Sequence, residues 1–292
     1  MFVKLHRFSD VRQFYPLVEE FLVQHEAENC LLIGTLSVRL REQTDSGDLY
    51  LAFVEADGVV VGAAMRTPPY GMVLSQSESD EAVDLIAGDV FAHYGDTIPT
   101  VNAVKRVAHR FAGRYSALTG LTAEIDVAER IYRLDRLNPV RIVPGRLIPA
   151  AEEHRPLLHE WFRGFLADAF GTDSVDDAEI ERQVEFRLSG NPAFRGLTLW
   201  VDAEKPVTMA GYTGPTPNGI RVGPIYTPQA YRRRGYATAA TAALSQMLLE
   251  QGRRCCFLFT DLANPTSNHI YQEIGYRPVV DVDQLEFVRQ AQ

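Results

Sequence analysis

The sequence predicts a mixed α/β fold of the α+β class, made of two similar halves in which helices flank a mostly antiparallel sheet. Short segments alternate apolar and polar residues, as half-buried strands do, while longer segments repeat apolar residues every three or four positions, as amphipathic helices do. Turn signals separate several of the strands. The order of these elements in the first half of the chain recurs in the second half.

The first half contains a hairpin signal, Asp57-Gly58, between two apolar segments, which is typical of antiparallel strands joined by a tight turn. Ser9-Asp10 precedes a helical pattern and supplies its N-cap. We predict strands at residues 2–8, 49–55, 59–66, 71–75 and 130–137, and helices at residues 11–22, 31–41, 81–93 and 104–118.

Asn138-Pro139 and Pro144-Gly145 interrupt the pattern and indicate a domain boundary. We therefore predict one domain at residues 1–138 and a second at residues 139–292. A helix connects the predicted strands at residues 220–227 and 255–261, so these two strands should run parallel. The other predicted elements of the second domain are strands at residues 140–143, 147–148, 197–202, 207–213 and 276–287, and helices at residues 149–170, 176–188, 235–250 and 265–274.

A weak internal similarity supports duplication of one fold. Residues 16–21 (PLVEEF) align with residues 156–161 (PLLHEW), and a Thr-Pro pair follows five residues after Gly62 and five residues after Gly211. Turn chemistry by itself accounts for part of this similarity.

The 292-residue chain has the composition of a globular protein, with 46% hydrophobic residues, 23% charged residues and a formal net charge of -9. This charge gives no general attraction to nucleic acid or to an anionic membrane surface. It is compatible with a cationic or amine substrate, although soluble acidic proteins commonly use such charge for solubility alone.

The cysteines and histidines do not form a recognisable framework. There are three cysteines, two of them adjacent, which is not a disulfide pattern. His154 and His159 do not match the His-Glu-x-x-His zinc pattern, and we predict no metal. The N-terminal residues lack the apolar segment of a signal peptide, and no apolar run approaches the roughly 20 residues that cross a bilayer. We therefore expect a cytoplasmic protein.

The strongest chemical signal lies in residues 225–238, with the sequence IYTPQAYRRRGYAT. An apolar strand is followed there by a basic turn and by a helix that begins at Gly235. Unpaired N–H groups in the first helical turn and the helix dipole favour an anion at this end. Glycine lets a phosphate approach the backbone, and Arg232, Arg233 and Arg234 add charge-assisted contacts. The segment therefore indicates a phosphate-binding turn.

A solvated basic turn before an ordinary helix is the alternative explanation for this segment taken alone. No Gly-Lys-Ser/Thr follows it, which excludes a Walker loop, and the three spaced glycines of a dinucleotide-binding fingerprint are absent.

A second polar segment follows at residues 264–276. Asn264 is suited to an N-cap and Pro265 to the first helical position. Asn264, Asn268 and Tyr271 are spaced by four and three residues, so they share one helix face. This face can meet a ligand, but the segment taken alone is better explained by capping and a solvated helix surface.

Together the two segments resemble a known family. Arg232-x-x-Gly235-x-Ala237 is similar to the pyrophosphate-binding motif, Gln/Arg-x-x-Gly-x-Gly/Ala, of the GNAT superfamily of N-acetyltransferases. Residues 264–276 resemble that family's later motif, Asn-x-x-Ala/Ser-x-x-Leu-Tyr-x-x-x-Gly-Phe. The resemblance covers roughly residues 140–292. The first half shares the order of elements but lacks the first motif, and it looks like a degenerate copy.

The resemblance implies acetyl-CoA as the co-substrate and a set of residues that bind it. The strand backbone would bond the pantetheine arm and the thioester carbonyl, the turn would hold the pyrophosphate, and two asparagines would contact the coenzyme arm. The donor should lie where this strand and the strand at residues 255–261 splay apart. The implied residues are Ile225, Tyr226 and Thr227 in the strand, Arg232, Arg233, Arg234, Gly235, Tyr236, Ala237 and Thr238 in the turn and helix, and Asn264 and Asn268.

The family's chemistry also implies a catalytic residue. A free amine attacks the thioester carbonyl, a strand N–H stabilises the developing oxyanion, and a phenol with a usual pKa of roughly 10 protonates the leaving thiolate. Tyr271 would be this acid. Glu160, Glu185 and Asp261 are candidates for the base only by their location, and each is better explained as a structural or surface charge.

We therefore expect an N-acetyltransferase that transfers an acetyl group from acetyl-CoA to a primary amine of a small molecule or peptide. A non-catalytic acyl-CoA-binding or sensing protein and a tandem transferase with another acyl donor are the alternatives. The acceptor would bind near residues 161–187, with no nucleic acid and no membrane as partner. The first half would shape the acceptor pocket, form a homodimer surface or add stability.

Overall fold

The computed structural model of the protein describes residues 3–42, 48–170 and 176–289. The chain folds into two compact units. The first comprises Met1–Ile131, Phe259–Asn264 and Pro278–Gln292, and the second comprises Tyr132–Leu258 and Pro265–Arg277. The limits of the two domains, at residues 1–138 and 139–292, remain a prediction.

The elements are numbered in chain order. The first ten are β1 (Val3–Phe8), α1 (Val11–Gln24), α2 (Cys30–Glu42), β2 (Tyr50–Ala56), β3 (Val59–Arg66), β4 (Met72–Leu74), α3 (Asp80–Tyr94), β5 (Thr100–Val104), α4 (Lys105–Thr119) and β6 (Thr122–Leu134). The remaining elements are β7 (Arg146–Pro149), α5 (Arg155–Phe170), α6 (Asp177–Leu188), β8 (Arg195–Asp202), β9 (Lys205–Pro215), β10 (Gly219–Tyr226), α7 (Tyr236–Glu250), β11 (Cys255–Asp261), α8 (Pro265–Ile274) and β12 (Arg277–Val288).

Strands of the first unit follow the order β1-β2-β3-β4-β5-β12. These neighbours are antiparallel except for β4 and β5, which run parallel with α3 between them in the chain. Tyr50, Ala52 and Val54 of β2 belong to a core with α3 and α4, whereas Leu51 and Phe53 belong to a core with α1 and α2. Because successive strand residues point to opposite faces, helices cover both faces of this sheet.

Strands of the second unit follow the order β7-β8-β9-β10-β11. The neighbours are antiparallel except for β10 and β11. The parallel pairing that the sequence predicts for these two strands is confirmed, with Gly219 opposite Cys255 and Arg221 opposite Phe257. The cysteines of β11 are buried and reduced. One core packs beneath α5 and α6 and another beneath α7 and α8.

The predicted fold class is confirmed, and four element predictions are wrong in detail. The helix expected from residue 149 begins only at Arg155, because β7 extends to Pro149 and a short 3-10 turn at Glu152–His154 precedes the helix. β5 is missing from the prediction because Val104 fits the helical pattern that follows it. β6 begins at Thr122 rather than at residue 130, because charged residues occupy its exposed positions. Residues 140–143 do not form a strand. Instead Val143 is buried beside Gly235, where a Cβ on that glycine would come within 3.0 Å of the valine Cγ1.

No helix in the described ranges combines the length and the apolar character needed to cross a membrane.

A buried carboxylate is held between a strand and a helix of the first unit. Asp283 of β12 is 0% exposed, and its Oδ2 lies 2.6 Å from Nε2 of His109 and 3.8 Å from Nζ of Lys105, both on α4. Its Oδ1 is buried without a hydrogen-bond partner among the described residues. A buried carboxylate depends on such partners, since its desolvation is costly.

We predict that His109→Ala lowers the free energy of unfolding by about 1–3 kcal/mol, because only Lys105 would then face the buried Asp283 carboxylate. Urea unfolding of parent and variants measures this. His25→Ala, at an exposed histidine, is the control and should change stability by less than about 0.5 kcal/mol. Equal stabilities for His109→Ala and the parent would contradict the role of this pair.

Candidate active site

The end of β10 carries the strand part of the candidate site. Its pairing with β9 shifts register between Val222 and Ile225, and Ile225 and Tyr226 then face Ala210 and Met209 of β9. Within the described residues, pairing with β11 reaches only as far as Arg221. The backbone edge of β10 that faces away from β9 is therefore available to a ligand at its last residues.

Side chains hold this end of β10 firmly in the second unit. The Tyr226 ring lies against Gly164 of α5, where any Cβ would overlap the phenol, and 6.4 Å from the ring of Trp161. The Thr227 hydroxyl lies 2.8 Å from that of Thr208. The side chains of both predicted residues are therefore engaged within the protein, and their backbone groups are the parts that can bond a ligand.

The first turn of α7 presents unsatisfied backbone donors. The Ala239 N–H donates to the Gly235 carbonyl at 3.0 Å, and the earlier N–H groups, those of Tyr236, Ala237 and Thr238, have no carbonyl within the helix to bond. No side chain caps this end, and its first turn has no acidic residue. An anion is the natural partner of such a helix terminus.

Gly235 is required at the N-cap of α7 for two reasons. Its φ is +86°, a left-handed value that side chains disfavour, and a Cβ would meet Val143 at 3.0 Å. The neighbouring Arg233 also has a positive φ of 62°. The turn therefore contains two left-handed backbone positions within three residues.

The three predicted arginines have different roles. Arg232 donates from Nε to the Thr227 carbonyl at 2.9 Å and from Nη2 to the Asp168 carboxylate of α5. The Arg234 guanidinium bonds the Tyr236 hydroxyl. Arg233 is exposed, and no described residue pairs with its guanidinium. Gln229, Arg232 and Arg233 line a surface depression of about 380 Å³.

Tyr236 fastens the start of α7 to the β8–β9 hairpin. Its side chain is buried, and its hydroxyl donates to Oδ2 of Asp202 at 2.5 Å, which raises the pKa of the phenol. Thr238 is likewise buried. Only the backbone N–H groups of these two predicted residues therefore face a ligand. Asp202 was missed because nothing in a hairpin sequence indicates a partner 34 positions away.

α8 carries the remaining predicted residues of the second unit. Asn268 accepts a hydrogen bond at its Oδ1 from the Tyr132 hydroxyl, at 2.9 Å. Tyr271 is half-buried, and burial raises its pKa to about 12, with a hydrogen bond to Ser267 acting in the opposite direction. Asn264 precedes this helix, is exposed, and donates its N–H to the Asp261 carbonyl at 3.1 Å.

Two of the three candidate bases are engaged. Arg155 hydrogen-bonds Glu185 at 2.7 Å and lowers the pKa of that carboxyl, which makes it a weaker base. Oδ1 of Asp261 accepts the Ala263 N–H at 2.7 Å. Glu160 is exposed on α5. Part of the predicted acceptor region, residues 171–175, lies outside the described residues.

The first unit contains a helix in the matching position, but its N-terminus is closed to anions. The Ser79 hydroxyl caps α3 by accepting the Ala82 N–H at 3.1 Å, and Asp80 and Glu81 occupy the first turn. Arg106 pairs with Asp80 at 2.5 Å. Acidic residues and a filled cap disfavour an anion at α3, whereas the first turn of α7 has neither an acidic residue nor a side-chain cap.

No group of three or more histidine, cysteine or acidic side chains is arranged to hold a metal ion in the part of the chain that the structure describes.

The chain is similar to proteins of known family and known structure. Residues 155–276 match the model of the acetyltransferase (GNAT) family. Similar solved structures include a GCN5-related N-acetyltransferase from Sphaerobacter thermophilus, with 15% identity, 99% of this chain and 97% of that chain covered, and a TM-score of 0.61. A tandem GNAT protein from the clavulanic acid biosynthesis pathway has 14% identity, coverages of 99% and 100%, and a TM-score of 0.59.

A further similar structure is a GCN5-related N-acetyltransferase from Kribbella flavida, with 16% identity, 88% of this chain and 96% of that chain covered, and a TM-score of 0.57. No curated protein matches the chain. At these identities the solved structures establish the fold, and the family model establishes the class: the protein is an acyltransferase. Its residues 155–276 belong to the acetyltransferase (GNAT) family.

The replacement of the family's phenylalanine by Tyr276 creates a buried hydroxyl that needs a partner. Ser245 of α7 supplies it, with 2.8 Å between the two oxygens. Because the Ser245 hydroxyl already donates to the Thr241 carbonyl at 2.8 Å, the Tyr276 hydroxyl is the donor to Ser245. This bond joins α7 to the residue that follows the C-terminal turn of α8.

We predict that Ser245→Ala lowers the free energy of unfolding by about 1–3 kcal/mol, because it leaves the buried Tyr276 hydroxyl without an acceptor. Tyr276→Phe removes the buried hydroxyl itself and so leaves no unpaired donor. It should lower the free energy of unfolding by less than Ser245→Ala does. The double variant should resemble Tyr276→Phe, and urea unfolding of all four proteins measures this. Additive losses in the double variant would disprove the coupling.

Proposed function

We propose that the protein is an N-acetyltransferase that transfers the acetyl group of acetyl-CoA to a primary amine by direct attack on the thioester. The observation that carries this proposal is the uncapped N-terminus of α7, directly after the open edge of β10. Three first-turn N–H groups and the absence of a Cβ at Gly235 suit a pyrophosphate. So does the Arg233 guanidinium, which pairs with no residue in the described part of the chain.

In the proposed reaction, the backbone of Ile225 to Thr227 bonds the pantetheine arm and donates to the thioester oxygen as it gains charge. The amine nitrogen forms a bond to the carbonyl carbon, and the carbon–sulfur bond breaks. Tyr271 gives its proton to the leaving thiolate, and the amine releases one proton to a base or a water chain. Asn264 and Asn268 contact the coenzyme arm.

The partners follow from the same proposal. The acceptor is a small-molecule or peptide amine, the protein acts in the cytoplasm, and neither nucleic acid nor membrane is a partner. A homodimer is compatible with it. The net charge of -9 favours a cationic acceptor over an anionic one.

We predict that the chain binds one acetyl-CoA in calorimetric titration, because α7 offers an open anion site whereas α3 is capped by Ser79 and carries acidic residues. Arg233→Ala should weaken binding about tenfold, since loss of a charge-assisted hydrogen bond costs on the order of 1.4 kcal/mol. Arg114→Ala, at an exposed arginine of the first unit, is the control and should bind like the parent. Failure of the parent to bind would refute the proposed donor.

We predict that Tyr271→Phe lowers kcat at least tenfold and leaves the KM for acetyl-CoA within about twofold, because the phenol acts on the leaving thiolate rather than in binding. With a pKa of about 12, Tyr271 keeps its proton across the working range. Raising the pH from 8 to 10 should therefore not titrate this acid, whereas a phenol with the usual value would be half ionised at about pH 10. An unchanged kcat in the variant would show that Tyr271 is not the acid.

A further inference from the structure

A buried tyrosine outside both motifs bonds the helix that carries Tyr271. Tyr132 of β6 is 0% exposed. Its hydroxyl donates to Oδ1 of Asn268 at 2.9 Å and accepts a hydrogen bond from Nε2 of Gln272 at 3.1 Å. Asn268 and Gln272 are four residues apart on α8, so one hydroxyl bridges two successive turns of the helix.

Besides this bridge, α8 is held by the partial packing of Ile270 and Tyr271 on the core of the second unit and by contacts at its C-terminal end. It is ten residues long, which is below the length at which an isolated helix is stable in water. Among its residues only Ile274 is buried. Asn138 bonds its C-terminal end, where its N–H donates to the Ile274 carbonyl at 2.8 Å and its side-chain amide donates to the Glu273 carbonyl at 3.2 Å. The middle of the helix is bonded by Tyr132.

Tyr271 lies within the two turns that this hydroxyl bridges. A proton donor must be held within roughly 0.5 Å and 10–20° of its productive position, and this precision comes from the groups that support it. Ser267, one turn earlier, bonds the Tyr271 phenol itself. The position of Tyr271 therefore depends on hydrogen bonds of neighbouring α8 residues, and Tyr132 of β6 fixes that part of the helix.

We infer that Tyr132 is a positioning residue for the acid step: its hydroxyl fixes the turn of α8 that holds Tyr271 at the thioester sulfur. This inference rests on the proposed function of Tyr271. It assigns a catalytic consequence to a buried core tyrosine that lies 139 positions before the acid in the chain. Removal of the hydroxyl alone should loosen the acid and leave donor binding at α7 intact.

The test is a two-by-two comparison of the parent, Tyr132→Phe, Tyr271→Phe and the double variant in steady-state kinetics with acetyl-CoA. We expect Tyr132→Phe to lower kcat about tenfold in the parent, with the KM for acetyl-CoA within twofold. In the Tyr271→Phe background it should lower kcat by less than twofold, because the acid whose position it controls is absent.

Gln272→Met provides a second route that does not touch the core, because Gln272 is exposed. It removes one of the two bonds of Tyr132 and should lower kcat about threefold, again only when Tyr271 is present. His269→Ala is the matched control, because His269 is exposed on α8 and is neither of the two residues that hydrogen-bond Tyr132, and it should leave the rate unchanged.

The outcomes separate this inference from the proposed function. An equal loss of kcat from Tyr132→Phe in both backgrounds would mean a general structural role and would overturn the inference, as would an unchanged kcat in both Tyr132→Phe and Gln272→Met. Tyr271→Phe with the rate of the parent would instead overturn the assigned acid, and with it the basis of the inference.

Discussion

The arrangement of the second unit depends on the first turn of α7, whose backbone N–H groups have no partner within the helix. A protein normally satisfies such groups with a capping side chain, as Ser79 does for α3. Here Gly235 occupies the cap position and offers no side chain. The bond of the buried Tyr236 to Asp202 and the contact of Val143 with Gly235 keep this end of the helix in place. Neither contact occupies the first-turn N–H groups.

This constraint explains why the three arginines of the basic turn have different contacts. Arg232 holds the turn against α5 and the end of β10, and Arg234 supports Tyr236, so two of the three arginines stabilise the loop. Arg233 is the one whose charge faces outward without a partner among the described residues. The same stretch of sequence thus supplies both the contacts that fix the turn and the exposed charge of the proposed anion site.

Buried hydroxyls fix the positions of α7 and α8 in the second unit. Tyr276 bonds Ser245 of α7, and Tyr132 bonds Asn268 and Gln272 of α8. A buried hydroxyl without a hydrogen-bond partner destabilises the folded state, so each of these bonds favours one position of its helix. The two units show how far this specialisation goes: both contain a parallel strand pair with a helix between, yet acidic residues close α3 and leave only α7 open.

The sequence by itself determined the fold class, the parallel pairing of β10 with β11, the bounds of β11 and α8, and the basic turn before α7. These features depend on local periodicity, turn residues and short spacings, which can be recognised in the amino-acid sequence itself. It did not determine β5, whose five residues become a strand by pairing with β4 and β12. Nor did it determine the partners of the site residues: Tyr132 lies 136 positions from Asn268, and Asp202 lies 34 from Tyr236. Only the tertiary structure brings these groups together, because a hydrogen bond between distant side chains is decided by how the helices pack on the sheet and leaves no periodic trace in the chain.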